Sequence, residues 1–289
     1  MYAAAITPFH ERANTVDLGA AMEIIDFLTA SPAQGISILG TTGNFLHFDV
    51  EEREKLISFA IKRCSKPVAT NISHSTLDVA VHLAEHSAAS GASFALVLPP
   101  YYFHYSPEQL EAFFLRLGER AAAHLPLYLY NIPFFTAAIS VDMAGRLLRS
   151  GLYQGIKDSS GKPEYLQALA STGAALLVGN DTALCVSRKQ GAVGVVSGCA
   201  AAVPELICAL DLAVTVGDAA REALLSKRLG EFIAWLDLFP TPFGVEEACR
   251  LRKLPARPET SWLGAAPLEE FRTWFPEWLP QILREAKGE

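Results

Sequence analysis

The sequence predicts a (β/α)8 TIM barrel with a C-terminal helical segment. Short apolar runs recur about every thirty residues, each followed by a Gly, Pro, Ser or Asn break and then by a stretch of helical periodicity. Eight such runs precede residue 203, and only helical patterns follow it. Strands that alternate with helices pair in parallel, and eight units favour closure into a barrel. An open, doubly wound sheet is the alternative arrangement of the same elements.

The predicted strands are short, as is usual for strands buried on both faces of a parallel sheet. In chain order they are Ala3–Ile6, Gly35–Leu39, Pro67–Ile72, Phe94–Leu98, Pro126–Tyr130, Leu152–Lys157, Ala175–Val178 and Ala192–Ser197.

The segments between the strands are predicted to be amphipathic helices that cover the barrel. In residues 50–61 one side is apolar and the charged residues 51–55 are expected to face water. The apolar side consists of Val50, Leu56, Ile57, Ala60 and Ile61.

Beyond residue 203 the pattern is helical only. We expect residues 1–203 to form the barrel with the active site, and residues 204–289 to pack on it within one structural unit. The predicted helices are Pro204–Val216, Ala219–Phe239, Pro242–Leu254 and, after the proline-rich turn 255–259, Leu268–Ala286. Their apolar face is assigned to Trp235, Leu236, Leu238 and Phe239, and later to Phe271, Trp274, Phe275 and Trp278.

The composition is that of an ordinary soluble enzyme. The 289 residues are 51% hydrophobic and 19% charged, with a net charge of −7, which is unfavourable for holding the phosphates of a nucleic acid. The N-terminus has no basic region followed by a long apolar run, so no secretory signal is predicted. Residues 192–216 imitate a membrane span, but Pro204, Glu205 and Asp211 interrupt them. Neither nucleic acid nor membrane is an expected partner.

The cysteines predict a reducing compartment. They are odd in number and scattered, and no two form a CxxC pair, so neither a disulfide framework nor a zinc knuckle is expected. A cytoplasmic location fits this pattern. The five are Cys64, Cys185, Cys199, Cys208 and Cys249.

Three strand ends carry candidate active-site residues, because a barrel enzyme builds its site there. The second strand runs into a Gly-Thr-Thr-Gly-Asn turn, residues 40–44, whose N–H and hydroxyl groups could bind a carboxylate; alternatively it is only a turn. The fifth ends in Tyr130, either an interior aromatic residue or a proton shuttle. The sixth ends in Lys157, which alternation directs into the barrel mouth, where burial favours the neutral amine that imine formation needs. The alternative is a lysine that reaches solvent past Asp158.

Seven segments in order carry a family resemblance. They are Ile6-Thr7-Pro8-Phe9, Gly40-Thr41-Thr42-Gly43, Pro99-Pro100-Tyr101-Tyr102, Tyr130-Asn131-Ile132-Pro133, Gly155-Ile156-Lys157-Asp158-Ser159-Ser160-Gly161, Gly179-Asn180-Asp181 and Gly191-Ala192-Val193-Gly194-Val195-Val196-Ser197. With these segments the chain resembles, over nearly its whole length, the dihydrodipicolinate synthase and N-acetylneuraminate lyase family of class I aldolases. Seven ordered matches are far more specific than any one of them.

The resemblance implies a lyase that holds pyruvate or another 2-oxo acid as a Schiff base on Lys157 and reacts it with, or releases, an aldehyde. No metal or other cofactor is implied. Tyr130 would relay protons together with Thr41 and with Tyr102, the latter from a neighbouring subunit of a homotetramer. The implied substrate-binding residues are Thr41, Thr42, Gly43, Asn44, Phe135, Asp181, Val196 and Ser197.

The departures from the family pattern concern the second substrate. Phe135 stands where the synthases carry an arginine that grips a carboxylate, and phenylalanine cannot replace that bidentate donor. Asn44 replaces the usual Glu, Phe103 replaces an Asn, and Asp181 with Thr182 matches only half of the lyase loop that reads a sugar tail. We therefore expect a substrate, a 2-oxo-3-deoxy acid, whose distal part is neutral.

Three other functions remain open on the sequence alone. The first is dihydrodipicolinate synthase proper. The second is a pyruvate-binding sensor with reduced turnover, suggested by the same departures. The third is a metal-dependent hydrolase on the same barrel, which the scarcity of His and Asp pairs at the strand ends does not favour. Separately, residues 82–86 spell His-Leu-Ala-Glu-His, an inverted zinc-protease pattern. Because these residues are predicted to lie on an outer helix, we expect surface or packing histidines there. His47 and His104 lie in loops nearer the expected site and are expected to be loop residues.

Overall fold

Eight short parallel strands close into a barrel, as the sequence predicts. The computed structural model describes residues 1–10, 15–256 and 264–289. Every barrel strand overlaps a predicted apolar run, and the strands follow the chain order around the barrel. They are β1 (Tyr2–Ala4), β2 (Gly35–Ile38), β3 (Val68–Asn71), β4 (Phe94–Val97), β5 (Leu127–Asn131), β6 (Gly155–Asp158), β7 (Ala175–Val178) and β8 (Gly194–Ser197).

The barrel is closed because β1 is paired on both edges. Tyr2 is in register with Gly35 of β2 on one side and with Val196 of β8 on the other. The alternative of an open, doubly wound sheet is therefore wrong, since such a sheet has two free edges. Phe9–His10 and Thr15–Val16 form a separate antiparallel pair.

Helices follow the barrel strands, and the apolar faces of both form one hydrophobic core. Helix α8 follows β8 and completes the eighth strand–helix unit, so that α9 to α11 are the additional segment. The helices are α1 (Leu18–Ala30), α2 (Val50–Arg63), α3 (Leu77–Ser90), α4 (Pro107–Ala121), α5 (Val141–Arg149), α6 (Pro163–Leu169), α7 (Leu184–Lys189), α8 (Pro204–Val216), α9 (Ala219–Leu236), α10 (Phe243–Leu251) and α11 (Ala265–Lys287).

Helix α2 corrects one expectation about which residues face water. Asp49 caps its N-terminus by accepting from Glu52 N. Glu52 and Arg53 are nevertheless buried, and Arg53 donates to the carbonyls of Asn71 and Ser73 at the end of β3. The reason is the helical period, which places position 53 on the same face as Leu56 and the other apolar residues. Burial lowers the pKa of Arg53 to about 10.

The C-terminal helices follow the predicted order with shifted ends. Helix α8 has the predicted bounds, α9 and α10 are shorter than predicted, and α11 is longer. Aromatic rings join α9 to α11: the Trp235 ring lies 5.6 Å from Trp274, and Phe232 stacks on Trp278. Leu238 is exposed and does not belong to this face. Residues 257–259 of the proline-rich turn lie outside the described residues.

One sequence pattern resembles a membrane span and another resembles a zinc site, but both belong to strands and helices of the barrel. The segment 192–216 divides into β8, a short 3-10 turn and α8. No helix among the described residues is long and apolar enough to cross a membrane. His82 and His86, on α3, contact Glu54 of α2, and His86 Nε2 lies 2.8 Å from Ser58 Oγ. They are packing histidines between two outer helices, as expected.

Candidate active site

The C-terminal ends of the barrel strands surround a cleft of about 620 Å³. This is the end at which a barrel enzyme carries its catalytic residues. The barrel residues on its wall come from the ends of five strands and the loops that follow them. They are Thr41 and Thr42 after β2, Tyr130, Ile132, Phe134 and Phe135 on and after β5, Lys157 and Ser159 on and after β6, Gly179 to Thr182 after β7, and Gly198 and Cys199 after β8.

Lys157 lies inside the barrel mouth and not at the surface. Its residue is 5% exposed, and its Nζ lies 4.1 Å from the centre of the Tyr130 ring. The two residues are in register on β5 and β6, so their side chains share one face of the sheet. The alternative in which Lys157 reaches solvent past Asp158 is wrong, because Asp158 is itself buried. Its carboxylate accepts from Asn131 Nδ2 and Ser160 Oγ, both at 2.7 Å.

Gly179 makes room for the lysine. A Cβ atom at this position would lie 2.6 Å from Lys157 Cε and 2.2 Å from Ser159 Oγ. Real Cβ atoms do not approach other atoms so closely, so any side chain at position 179 displaces both of these residues. The absence of a side chain at Gly179 is therefore a condition for the observed position of Lys157.

Tyr130 is hydrogen-bonded to the turn that follows β2. Its hydroxyl lies 3.0 Å from Thr41 Oγ1, and either atom can be the donor. The ring of Tyr130 covers the lysine nitrogen while its hydroxyl faces the turn. Tyr130 therefore joins the turn after β2 to the lysine on β6.

The turn after β2 uses two of its own N–H groups. Gly43 N donates to Gly40 O and Asn44 N donates to Thr41 O. Gly43 is also tightly enclosed, since a Cβ there would lie 3.0 Å from Leu39 N. Gly43 and Asn44 therefore shape the turn, and the groups left to bind a carboxylate are those of Thr41 and Thr42.

Two polar atoms on the opposite wall have no hydrogen-bond partner in the described structure. They are Ser159 Oγ and Asp181 Oδ1, and both are buried. The other oxygen of Asp181 accepts from Cys199 N at 3.1 Å. Burial raises the pKa of the Asp181 carboxyl, and hydrogen bonds with Ser197 and Cys199 oppose this rise. Both residues line the cleft wall, and unpaired buried polar atoms are costly.

Val196 and Ser197 lie below the wall of the cleft and not on it. Both are fully buried in β8, and Ser197 Oγ accepts from Ala200 N at 3.0 Å. Among the described residues neither belongs to the cleft wall, where Gly198 and Cys199 take their place.

A second, smaller lobe of about 320 Å³ adjoins the cleft. Phe135 lines both lobes and is 58% exposed. In the described structure neither lobe has a lysine or arginine on its wall apart from Lys157. The small lobe is lined by Thr41, Asn44, Phe45, Leu46, His47, Leu98, Tyr101, Ile132, Phe135, Thr136 and Thr241.

Tyr102 is the candidate residue that the single chain does not bring to Lys157. It is 91% exposed, its φ angle is +80°, and its ring packs edge-on against Phe103 at 5.0 Å. A tyrosine in the left-handed region is uncommon and indicates that the loop is built to present this side chain outward.

One wall of the cleft was not predicted from the sequence. The end of α9 and the start of α10 contribute it, so the site is not confined to the barrel. The break Pro240-Thr241-Pro242 between two helical patterns is the only sequence signal for this wall. It does not indicate that the chain turns towards the cleft there. The residues are Ile233, Leu236, Asp237, Phe239, Pro240, Thr241, Pro242, Gly244 and Val245.

Comparisons with known proteins agree on one family. Residues 1–270 match the family model of the Dihydrodipicolinate synthetase family. A 4-hydroxy-tetrahydrodipicolinate synthase of Azoarcus sp. is 32% identical over 78% of both chains. A probable 2-dehydro-3-deoxy-D-pentonate aldolase of Escherichia coli is 30% identical over 81% of this chain and 80% of its own.

Solved structures agree as well. The dihydrodipicolinate synthase from Aquifex aeolicus superposes with a TM-score of 0.86 at 27% identity, over 97% of each chain. A sialic acid aldolase from Ruminococcus gnavus superposes with the same score over 98% of each chain, but at 17% identity it shows the shared fold alone.

Proposed function

The chain belongs to the dihydrodipicolinate synthetase family, and we propose that it is a class I, pyruvate-dependent aldolase that forms its Schiff base on Lys157. The observation that carries the proposal is the position of Lys157, buried at the floor of the cleft, beneath the Tyr130 ring and beside Gly179. The relatives support an enzyme of lyase type.

The proposed chemistry needs no group beyond these side chains. The neutral amine of Lys157 attacks C2 of the 2-oxo acid, and loss of water from the carbinolamine leaves a protonated imine. The imine withdraws electrons, so the C3–C4 bond breaks, its electron pair forms an enamine, and the C4 hydroxyl becomes an aldehyde as it loses its proton. Protonation of the enamine at C3 and hydrolysis of the imine then release pyruvate and free the lysine.

Tyr130 is placed to move the protons in this sequence. Its hydroxyl, bound to Thr41 Oγ1, would first give its proton to the hydroxide that leaves the carbinolamine. The resulting phenolate would accept the proton of the C4 hydroxyl in the cleavage direction and return it in condensation. The face of its ring would stabilise the cationic nitrogen of the imine. Thr41 and Thr42 would hold the carboxylate, which fixes C2 within reach of the lysine.

The distal part of the cleft supports a neutral, hydroxylated substrate. Ser159 and Asp181 line this part of the cleft, and their polar side chains would bind a hydroxyl group. Phe135 offers no donor to a second carboxylate. We therefore propose a 2-oxo-3-deoxy acid with a neutral tail. The Escherichia coli relative, named for a substrate of this type, is consistent with that class.

The alternative is dihydrodipicolinate synthase proper, the name that several relatives of similar identity carry. It requires aspartate semialdehyde, whose carboxylate needs a charged partner in the cleft. A second alternative is a pyruvate-binding sensor. The Tyr130–Thr41 contact favours an enzyme, because a sensor needs no proton shuttle.

We also propose that the active unit is a homotetramer in the cytoplasm. The outward presentation of Tyr102 supports a relay that is completed between subunits, since the side chain is of no use to its own cleft. The five cysteines are all free thiols, which suits a reducing compartment.

A paired assay tests the proposed function. Pyruvate release should be measured across 2-oxo-3-deoxy acids with sugar-like, aliphatic and aromatic tails, beside condensation of pyruvate with aspartate semialdehyde. The proposal expects cleavage of at least one neutral substrate with kcat/KM above that of the condensation. Efficient condensation alone would favour the synthase. Exchange of the pyruvate methyl protons without any turnover would favour the sensor.

A further inference from the structure

A buried carboxyl group lies behind the turn that follows β2. Asn44 Nδ2 donates to Glu246 Oε1 at 2.7 Å, across 202 residues of sequence. Glu246 is 6% exposed and lies on α10, directly after Val245, which lines the cleft. The bond therefore connects the additional helical segment to the residues that are proposed to bind the pyruvate carboxylate.

Glu246 and its neighbour Glu247 differ in the partners of their carboxyl groups. Glu247 is equally buried, and two cations, Arg250 and Arg272, bind its carboxylate. In the described residues Glu246 has no ion pair, and Asn44 is the partner of its side chain. Burial raises the pKa of Glu246 to about 7, and the bond from Asn44 opposes the rise. Burying a carboxyl group without a charged partner costs free energy, so the stability of the fold does not explain why Glu246 is buried here.

The partner residue has an unusual backbone conformation. Asn44 has φ +50° and ψ +38°, in the left-handed region that few residues other than Gly and Asn adopt readily. Its N–H and carbonyl are used by the turn and by the following 3-10 turn, through Thr41 O and His47 N. Its side-chain amide is the group that connects the turn to α10.

From Asn44 the contacts lead directly to the reacting lysine. The N–H of Asn44 is bonded to the carbonyl of Thr41, and Thr41 Oγ1 is bonded to Tyr130, whose ring covers Lys157 Nζ. A shift of the Asn44 side chain therefore moves the hydroxyl and N–H groups of Thr41 relative to Lys157. Because Thr41 is proposed to hold the carboxylate, such a shift would weaken the binding of the 2-oxo acid.

We propose that Glu246 is a positioning residue that holds the Thr41–Asn44 turn in the geometry that binds the carboxylate of the 2-oxo acid. This inference rests on the proposed Schiff-base function. Glu246 does not itself line the cleft; it acts through Asn44. The role predicts a defect in the affinity for pyruvate and not in the chemistry at Lys157.

The test uses pyruvate and borohydride, which trap the imine without any second substrate. The half-saturating pyruvate concentration and the extent of trapping at saturation are measured for each variant. Glu246→Ala is expected to raise the half-saturating concentration about tenfold or more, because the buried amide of Asn44 loses its acceptor. The extent of trapping at saturation should match that of the wild type.

A reciprocal exchange separates positioning from general stability. Asn44→Asp places two carboxyl groups against each other and should raise the half-saturating concentration, whereas Asn44→Asp combined with Glu246→Gln restores a donor and an acceptor and should recover most of the affinity. Glu247→Ala is the matched control. It leaves Arg250 without its ion-pair partner and Arg272 with Glu269 alone, and it should lower the melting temperature. The half-saturating concentration should remain that of the wild type.

The outcomes are distinguishable. If the wild type is not trapped at all, the proposed function fails and this inference with it. If the wild type is trapped, an unchanged half-saturating concentration in a folded Glu246→Ala variant overturns the inference alone. Should that variant not fold, failure of the double variant to recover affinity relative to Asn44→Asp overturns it instead.

Discussion

Gly179 lies directly against the side chain of Lys157. A Cβ atom at position 179 would lie 2.6 Å from Lys157 Cε and 2.2 Å from Ser159 Oγ. The lysine therefore reaches its place beneath the Tyr130 ring across a glycine on the neighbouring strand end. This contact makes the site sensitive to a residue that has no chemistry of its own.

Gly179→Ala should consequently disable the lysine without removing it. The added methyl group displaces both Lys157 and Ser159, and a misplacement of about 1 Å can cost 10²-fold in rate. We expect trapping of pyruvate to slow by about that factor, measured as the rate of imine formation. Gly230→Ala, a change on α9 with no atom within 4 Å, is the control and should leave the rate unaltered. A Gly179→Ala variant with wild-type rates would contradict the packing argument.

Tyr130→Phe removes the proposed proton shuttle and keeps the ring over Lys157. Loss of a general acid or base should lower kcat by roughly 10²–10⁴, with a smaller change in pyruvate affinity. Tyr128→Phe, on the same strand and packed on Phe94, is the matched control and should have little effect. Steady-state kinetics on the best cleaved substrate decide the matter, and a near-normal kcat would remove Tyr130 from the mechanism.

Phe135→Arg should move the enzyme towards the synthase reaction. The wild type is expected to condense pyruvate with aspartate semialdehyde poorly, at a kcat/KM below about 10⁴ M⁻¹s⁻¹, the low end for a proficient enzyme. A bidentate donor at position 135 should raise this value roughly tenfold or more. Phe134→Arg, in the same loop but outside the small lobe, should gain less. An efficient wild type, or a folded Phe135→Arg variant without any gain, would disprove the specificity argument.

The buried Glu246 makes folding stability depend on pH. Burial raises its pKa from 4.5 to about 7, so the folded state holds this proton more tightly than the unfolded state does. Protonation of Glu246 therefore contributes at most about 3 kcal/mol to the free energy of unfolding. This contribution is fully present below pH 4.5 and is lost as the pH rises through about 7. Burial raises the pKa of Cys249, and Glu246 adds to this rise, while Arg250 and Arg272 face Glu247.

Glu246→Gln should remove this dependence. Between pH 5 and 8 the free energy of unfolding of the wild type should fall relative to that of the variant, as measured by urea denaturation at each pH. If the free energies of unfolding of the two proteins changed in parallel with pH, burial would not raise the pKa of Glu246.

The sequence was sufficient to place Lys157 and Tyr130, which lie on neighbouring strands. Alternation along β6 places Lys157 in the barrel mouth, and register with β5 brings Tyr130 beside it. Helical ends were predicted less well, because α9 and α10 end where tertiary packing, and not propensity, decides. The assignment of Val196 and Ser197 to the cleft fails because the wall begins one residue later, at Gly198.

Contacts between distant parts of the chain could not be predicted. Val245 reaches the cleft, and Glu246 reaches Asn44, only through the packing of α10 against the barrel end, which no local pattern encodes. The same holds for the N–H groups of Gly43 and Asn44, which the turn uses itself. A sequence indicates the donors of such a turn, but only the folded turn shows which of them remain free.

The most direct test of the central claim is the site of covalent trapping. The protein is treated with pyruvate and borohydride, digested, and analysed by mass spectrometry beside Lys157→Ala and, as a control, Lys162→Ala, which changes an exposed lysine on the loop after the same strand. We predict one reduced pyruvyl group on Lys157 in the wild type and in Lys162→Ala, and none in Lys157→Ala. Trapping of Lys157→Ala to the same extent as the wild type would contradict the mechanism.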